Sequence, residues 1–113
     1  MPYQDLRDYL AELERHGKIK RSTKEVDKDW EIASVCRNIF TLISEEERPA
    51  FKFNSIKGAQ GFNLVTGALE ASRRIYGLAM EIEPDNIHHN WQKSICEPLE
   101  SRIVKSGPCY HVI

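Results

Sequence analysis

Cysteine, long apolar runs and a surplus of either charge are all scarce in this chain of 113 residues. The three cysteines, Cys36, Cys96 and Cys109, form an odd set with no close pair. That excludes a disulfide framework and points to reduced thiols in a cytoplasm. No uninterrupted apolar stretch approaches the ~18 residues that span a bilayer. The opening MPYQDLRDYL also lacks the basic-then-apolar order of a secretory signal, so no membrane role is expected. Sixteen Lys and Arg against seventeen Asp and Glu leave a formal charge of −1. Such a balance gives no general attraction to nucleic acid or acidic lipid, and any partner surface must be local. Basic and aromatic residues are not interleaved on a common strand face, as an RNA-binding sheet requires.

What is present is an ordinary globular mixture, 41% apolar and 29% charged, of a length that makes one domain with one modest core. Leu6, Tyr9, Leu10 and Leu13 recur at helical spacing, with Asp5 as a cap and Gly17 as a stop. Ile19, flanked by charges, reads as a short edge strand. Ile32, Val35, Cys36, Ile39, Phe40 and Ile43 form the clearest helical stripe, capped by Asp27 or Asp29. The acidic run Glu45 to Glu47, before Pro49, ends that helix and keeps the connection in water. Then the period changes to two: Phe51 and Phe53 share a strand face, Gly58 and Gly61 turn the chain, and a strand runs from Phe62 to Val65.

After Gly67, a third helix carries Ile75, Leu78, Ala79 and Ile82 on one face and Arg73 and Arg74 near its start, and Pro84 closes it. A fourth brings Trp91, Ile95 and Leu99 to one side, and SRIVK beyond it reads as extended chain. Helices and strands thus alternate in a single α/β or α+β domain over residues 1–113, with about four helices on a small mixed sheet.

Chemistry-bearing residues are few. His88, His89, Cys96, Cys109 and His111 could offer nitrogen and sulfur ligands, but no Cys-x-x-Cys or His-x-x-x-His pair is present. Cys96 sits beside Ile95 and reads as a small buried hydrophobe. Cys109 and His111, in the closing SGPCYHVI, suggest a nucleophile and base, yet nothing near them supplies an oriented base or an oxyanion site. The glycines of IKGAQGFNLVTG join strand to strand without opening a helix, so they read as turn residues and not as a phosphate cradle. Arg73 and Arg74, next to Ser72 at a helix start, remain as candidate contacts for an anion or a partner.

The order of the blocks carries more. YQDLRDYLAELERHGKIKR, EVDKDWEIASVCRN, PAFKFNSIKG, NLVTGALEASRRIYGLAM and SGPCYHVI together resemble the N-terminal domain of the UbiD-like decarboxylases. The matching positions are Asp5, Leu6, Arg7 and Gly17, then Glu25, Val26, Asp27, Glu31, Ile32 and Arg37, then Lys57 and Gly58, then Gly107, Pro108 and Cys109. Lys28 stands where a proline is usual, and MEIEP replaces the common Leu-Gly ending of the third helix.

This resemblance implies an enzyme that uses prenylated FMN, a divalent metal such as Mn and a K ion to add or remove CO₂ at an aromatic or α,β-unsaturated acid, with the cofactor acting as electron sink. The ASRR following VTG leans towards hydroxybenzoates. The family's catalytic, flavin-binding and metal-binding residues lie in a central domain beyond the Gly-Pro-Cys block. The expectation is therefore a scaffold domain with no catalytic, cofactor or metal residue of its own, a flavin-binding decarboxylase domain as partner, and an oligomer once complete. Alternatives are a free-standing, non-catalytic small subunit docking on a larger decarboxylase chain, or a small anion-binding protein. The reading frame beyond Ile113 separates the first two. Trp30, Tyr76 and Trp91 are expected on an uncovered apolar face.

Overall fold

The computed structural model describes residues 3–107. The chain runs α1 (Leu6–Arg15), β1 (Ile19–Ser22), α2 (Glu31–Leu42), β2 (Ala50–Phe53), β3 (Leu64–Thr66), α3 (Arg73–Met80) and α4 (Ile87–Cys96), with 3-10 turns at Glu45–Glu47 and Pro84–Asn86. The sheet order is β1-β2-β3, with β1 parallel to β2 and β2 antiparallel to β3. It is the expected α+β domain with a small mixed sheet and four helices.

The central strand explains the layering. Successive strand residues point to opposite faces, so Ala50 enters one core and Phe53 the other. The first core gathers Tyr9, Leu10 and Leu13 of α1 with Ala71 and Ile75 beside and within α3. The second gathers Ile32 of α2 with Val26 and Ile56, and Phe51 packs against it. Phe51 and Phe53 stack on that face with centroids 6.0 Å apart. Helices therefore cover both sides of a three-stranded sheet.

Local chemistry sets the element ends. Asp5 caps α1 as expected, accepting from the backbone N–H groups of Arg7 at 2.7 Å and Asp8 at 3.1 Å, which holds its carboxyl below the usual range. For α2 the expectation fails: the cap position is Trp30, with no side-chain cap bond. The Asp27 carboxylate instead accepts from Asp29 N–H at 2.8 Å, while Glu31 reaches back to Asp27 N–H at 2.7 Å. At the other end of α2, the Arg48 guanidinium donates to the carbonyls of Ile43 and Phe40. The sheet hairpin starts later than expected, because Gly61 at φ +81° and the bond from Phe62 N–H to Ala59 carbonyl keep Phe62 in the turn.

Two tyrosines, Tyr9 of α1 and Tyr3 just before it, bind the start of the chain to α3. Tyr9 Oη lies 2.6 Å from the Ala68 carbonyl and 3.0 Å from that of Ile75, and Tyr3 donates to the Leu78 carbonyl at 2.8 Å. Burial pushes the Tyr9 phenol up to about 12.

Helix α4 departs from this scheme. It forms where the spacing predicts, yet none of its residues is buried. Cys96, expected inside, is exposed: its apolar neighbours face outwards and form no core around it. Residues 101–104 carry no regular structure and are exposed. No described helix is long and apolar enough to cross a membrane.

Candidate functional site

Arg73 and Arg74 open α3, whose first turn is held from two sides. Ile75 N–H donates to Ser72 Oγ at 3.2 Å, and Arg73 N–H donates to the Glu45 carboxylate from the 3-10 turn after α2. The negative group favoured at a helix N-terminus is thus supplied by the chain itself. The Arg73 guanidinium reaches the Pro84 carbonyl at 3.2 Å and Asp85 Oδ1 at 3.7 Å.

Adjacent helical residues diverge by about 100°, but both arginines still border one hollow of about 400 Å³. Glu45, Glu46, Glu83 and Asp85 share that border. With four carboxylates against two guanidiniums, the hollow suits a partner that brings charges of both signs. Arg74 also borders another hollow, shared with His16, Leu78 and Ile82.

A second hollow, of about 390 Å³, lies between α3 and α4, with Leu69, Tyr76 and Ile87 as its apolar lining. Arg73 and His88 stand on its edge with Glu45 and Glu70. Trp91 flanks it, its indole N–H donating to the Tyr76 hydroxyl at 2.9 Å. The sequence pointed to Tyr76 and Trp91 but missed Leu69 and Ile87, because nothing in the local pattern separates an uncovered apolar residue from a core one. Trp30, the third aromatic expected there, stands 80% exposed at the start of α2, on the other side of the sheet.

Among the described residues no group of three or more His, Cys, Asp and Glu could hold a metal ion. His88, His89 and Cys96 do not converge, and Cys109 and His111 lie outside the described residues. Gly58 and Gly61 adopt φ of +74° and +81° with open space about them, which is turn geometry between strands.

The profile of the 3-octaprenyl-4-hydroxybenzoate carboxy-lyase N-terminal domain matches residues 10–95. The chain belongs to this UbiD family. Solved UbiD proteins carry the same fold. HmfF from Pelotomaculum thermopropionicum, a UbiD-class enzyme solved as an evolved dimeric form in complex with prFMN, is 28% identical with a TM-score of 0.73, over 90% of this chain and 22% of that one. The 3,4-dihydroxybenzoic acid decarboxylase of Enterobacter cloacae is 28% identical with a TM-score of 0.71, over 88% and 21%. The closed form of the vanillic acid decarboxylase of Sedimentibacter hydroxybenzoicus is 27% identical with a TM-score of 0.70, over 97% and 24%. The chain thus spans between a fifth and a quarter of these proteins.

The hollows of this UbiD domain are bordered mainly by carboxylates. A groove of about 700 Å³ between α1 and the end of α3 is bordered by Asp8, Glu12, Glu81 and Glu83. Arg15, beside them, is already paired with Glu12. A flavin phosphate placed there would meet net negative charge.

Proposed function

We propose that residues 1–113 form the amino-terminal scaffold domain of a UbiD-like (de)carboxylase acting on an aromatic or α,β-unsaturated carboxylic acid, with a hydroxybenzoate as the first candidate. The observation that carries this reading is the family match over residues 10–95. The solved relatives named as vanillic and 3,4-dihydroxybenzoic acid decarboxylases support the substrate class. Prenylated FMN, a divalent metal and potassium belong to the partner domain of the complete enzyme. The residues here contribute position to it, with Arg73 and Arg74 as partner contacts. A cytoplasmic setting follows from the reduced state expected of the cysteines, and the complete enzyme is read as an oligomer.

A separate small subunit is the second reading. Its support is that the vanillic acid decarboxylase of Sedimentibacter hydroxybenzoicus is built with a second component, VdcD, although this chain matches 17% of a longer chain there.

The test is to isolate the native protein bearing this sequence, record its intact mass and flavin spectrum, and assay CO₂ release from hydroxybenzoates. A flavin-containing protein that decarboxylates them supports the proposal. A 13.1 kDa polypeptide co-eluting with a larger flavin chain selects the subunit form, whereas one long polypeptide selects the domain form. The 113-residue chain alone is expected to be colourless and inactive. A stoichiometric flavin bound to it, or a native protein without flavin, would overturn the proposal.

A further inference from the structure

We propose that the α3–α4 surface, from Leu69 and Tyr76 across Trp91 to Ile95, is the seat of the flavin-binding decarboxylase domain; this rests on the function proposed above. The first observation is that α4 lacks a reason to be helical on its own. It has ten residues, none buried, and no side-chain bond at its N-cap. Its main packing is against the 3-10 turn Pro84–Asn86. Isolated helices shorter than about 12–15 residues are marginal in water. Yet it carries an apolar stripe at helical spacing whose exposure rises outwards, with Trp91 at 48%, Ile95 at 71% and Leu99, just past the helix, at 98%. A stripe of this kind is stable once a second surface covers it.

The inner edge of this surface is built to receive something. The bond from Trp91 to Tyr76 fixes the indole beside the 390 Å³ hollow over Leu69 and Ile87. That is room for an anchoring aromatic or aliphatic side chain, the usual centre of a protein interface. Arg73 and His88 on its edge, with Glu45 and Glu70, provide a polar rim of both signs. An acidic lipid surface would find no net positive charge there.

Area identifies the occupant. The chain exposes 9286 Å², against the roughly 6,400 Å² expected of a compact monomer of its mass. The exposed stretch 97–106 after α4 carries part of that surplus, and a standard interface takes ~800 Å² from each partner. The chain's radius of gyration, 17.4 Å, exceeds the ~13 Å of a compact domain of this length. In the vanillic acid decarboxylase the same fold, matched over 97% of this chain, makes up 24% of the polypeptide. The remaining three-quarters of such a protein is the body large enough to cover this much surface.

The experiment compares the flavin-containing assembly with the 113-residue chain alone, using hydrogen exchange of residues 87–96 and the alkylation rate of Cys96 resolved by peptide mass spectrometry. Both are expected to slow at least tenfold in the assembly. Ile95→Lys should restore fast exchange and fast alkylation in the assembly, yet leave the unfolding temperature of the chain alone unchanged, because Ile95 contributes nothing to either core. Trp30→Lys, on the opposite side of the sheet, should leave the protection of α4 intact. An active, flavin-loaded assembly in which α4 exchanges and Cys96 reacts as fast as in the chain alone would overturn the seat and spare the family function. Protection that grows with the concentration of the chain alone would assign the surface to a second copy and overturn it as well. If the native protein holds no flavin, the proposed function falls and this inference falls with it.

Discussion

At the scale of single residues, Tyr9 carries more of the fold than its place on the α1 stripe suggests. Its ring fills the first core, and its hydroxyl lies against the carbonyls of Ala68 and Ile75. Tyr9→Phe keeps the ring and removes the donor, leaving buried acceptors unsatisfied at a cost of about 1–2 kcal/mol. For a domain near this size each kcal/mol lowers the unfolding temperature by roughly 4–8 °C, so thermal unfolding followed by circular dichroism should show a clear drop. The same residue makes stability depend on alkaline pH. Its phenol titrates near 10 in the unfolded chain and at about 12 when folded. The stabilisation is therefore complete below pH 10 and is lost as pH rises through 12. The stability difference between wild type and Tyr9→Phe should narrow over that window, and an unchanged difference would show that the hydroxyl is not buried in the folded state.

Elements end where local chemistry and tertiary contacts agree, and α3 shows both. Its C-cap residue Glu81 is left-handed, at φ 54°, with its N–H bonded to Leu78 carbonyl while Ile82 N–H returns to Gly77 carbonyl. A side chain is unfavourable in that conformation, so Glu81→Gly should stabilise the domain by about 1 kcal/mol. Gly77→Ala should do the reverse. Alanine is ordinarily better than glycine within a helix by about 1 kcal/mol. Here, however, the new Cβ would lie 2.7 Å from the Ile82 carbonyl oxygen, a backbone atom that cannot swing away. The expected loss is about 1–3 kcal/mol, and urea unfolding of the two variants should move in opposite directions.

The same contrast marks what the sequence could disclose about the elements. The Asp5 cap was legible because the N–H groups that donate to it, those of Arg7 and Asp8, are two and three residues away. The start of α2 was not, since both nearby carboxylates are spent on the loop before the helix, Asp27 on the N–H of Asp29 and Glu31 on the N–H of Asp27, and the cap position falls to Trp30. At the candidate site Arg73 and Arg74 were legible as neighbours at a helix start. The closure of that start by Glu45, 28 positions earlier, was not, because it depends on how the 3-10 turn packs on α3. Cys96 was misread for a related reason: a helical stripe looks the same whether it faces its own core or another protein's.

For the whole molecule, the two cores divide the available burial between the faces of a three-stranded sheet, and α4 belongs to neither. With α4 and the exposed stretch after it outside both cores, the chain measures 46 by 45 by 24 Å and leaves apolar surface for which it has no internal partner. Exposed apolar patches of this kind bind hydrophobic dyes and mark interaction sites. The chain alone is therefore expected to enhance the fluorescence of a hydrophobic dye and to give a small-angle scattering radius near the 17.4 Å of the extended arrangement. Ile95→Lys should reduce the dye signal without changing the radius, since it alters the chemistry of the stripe and not its position. If α4 instead closed over its own domain in solution, the radius would fall towards ~13 Å and the dye would find little to bind. That pair of results would mean that the domain completes its own core, and that its place beside a larger decarboxylase has to be sought on another face.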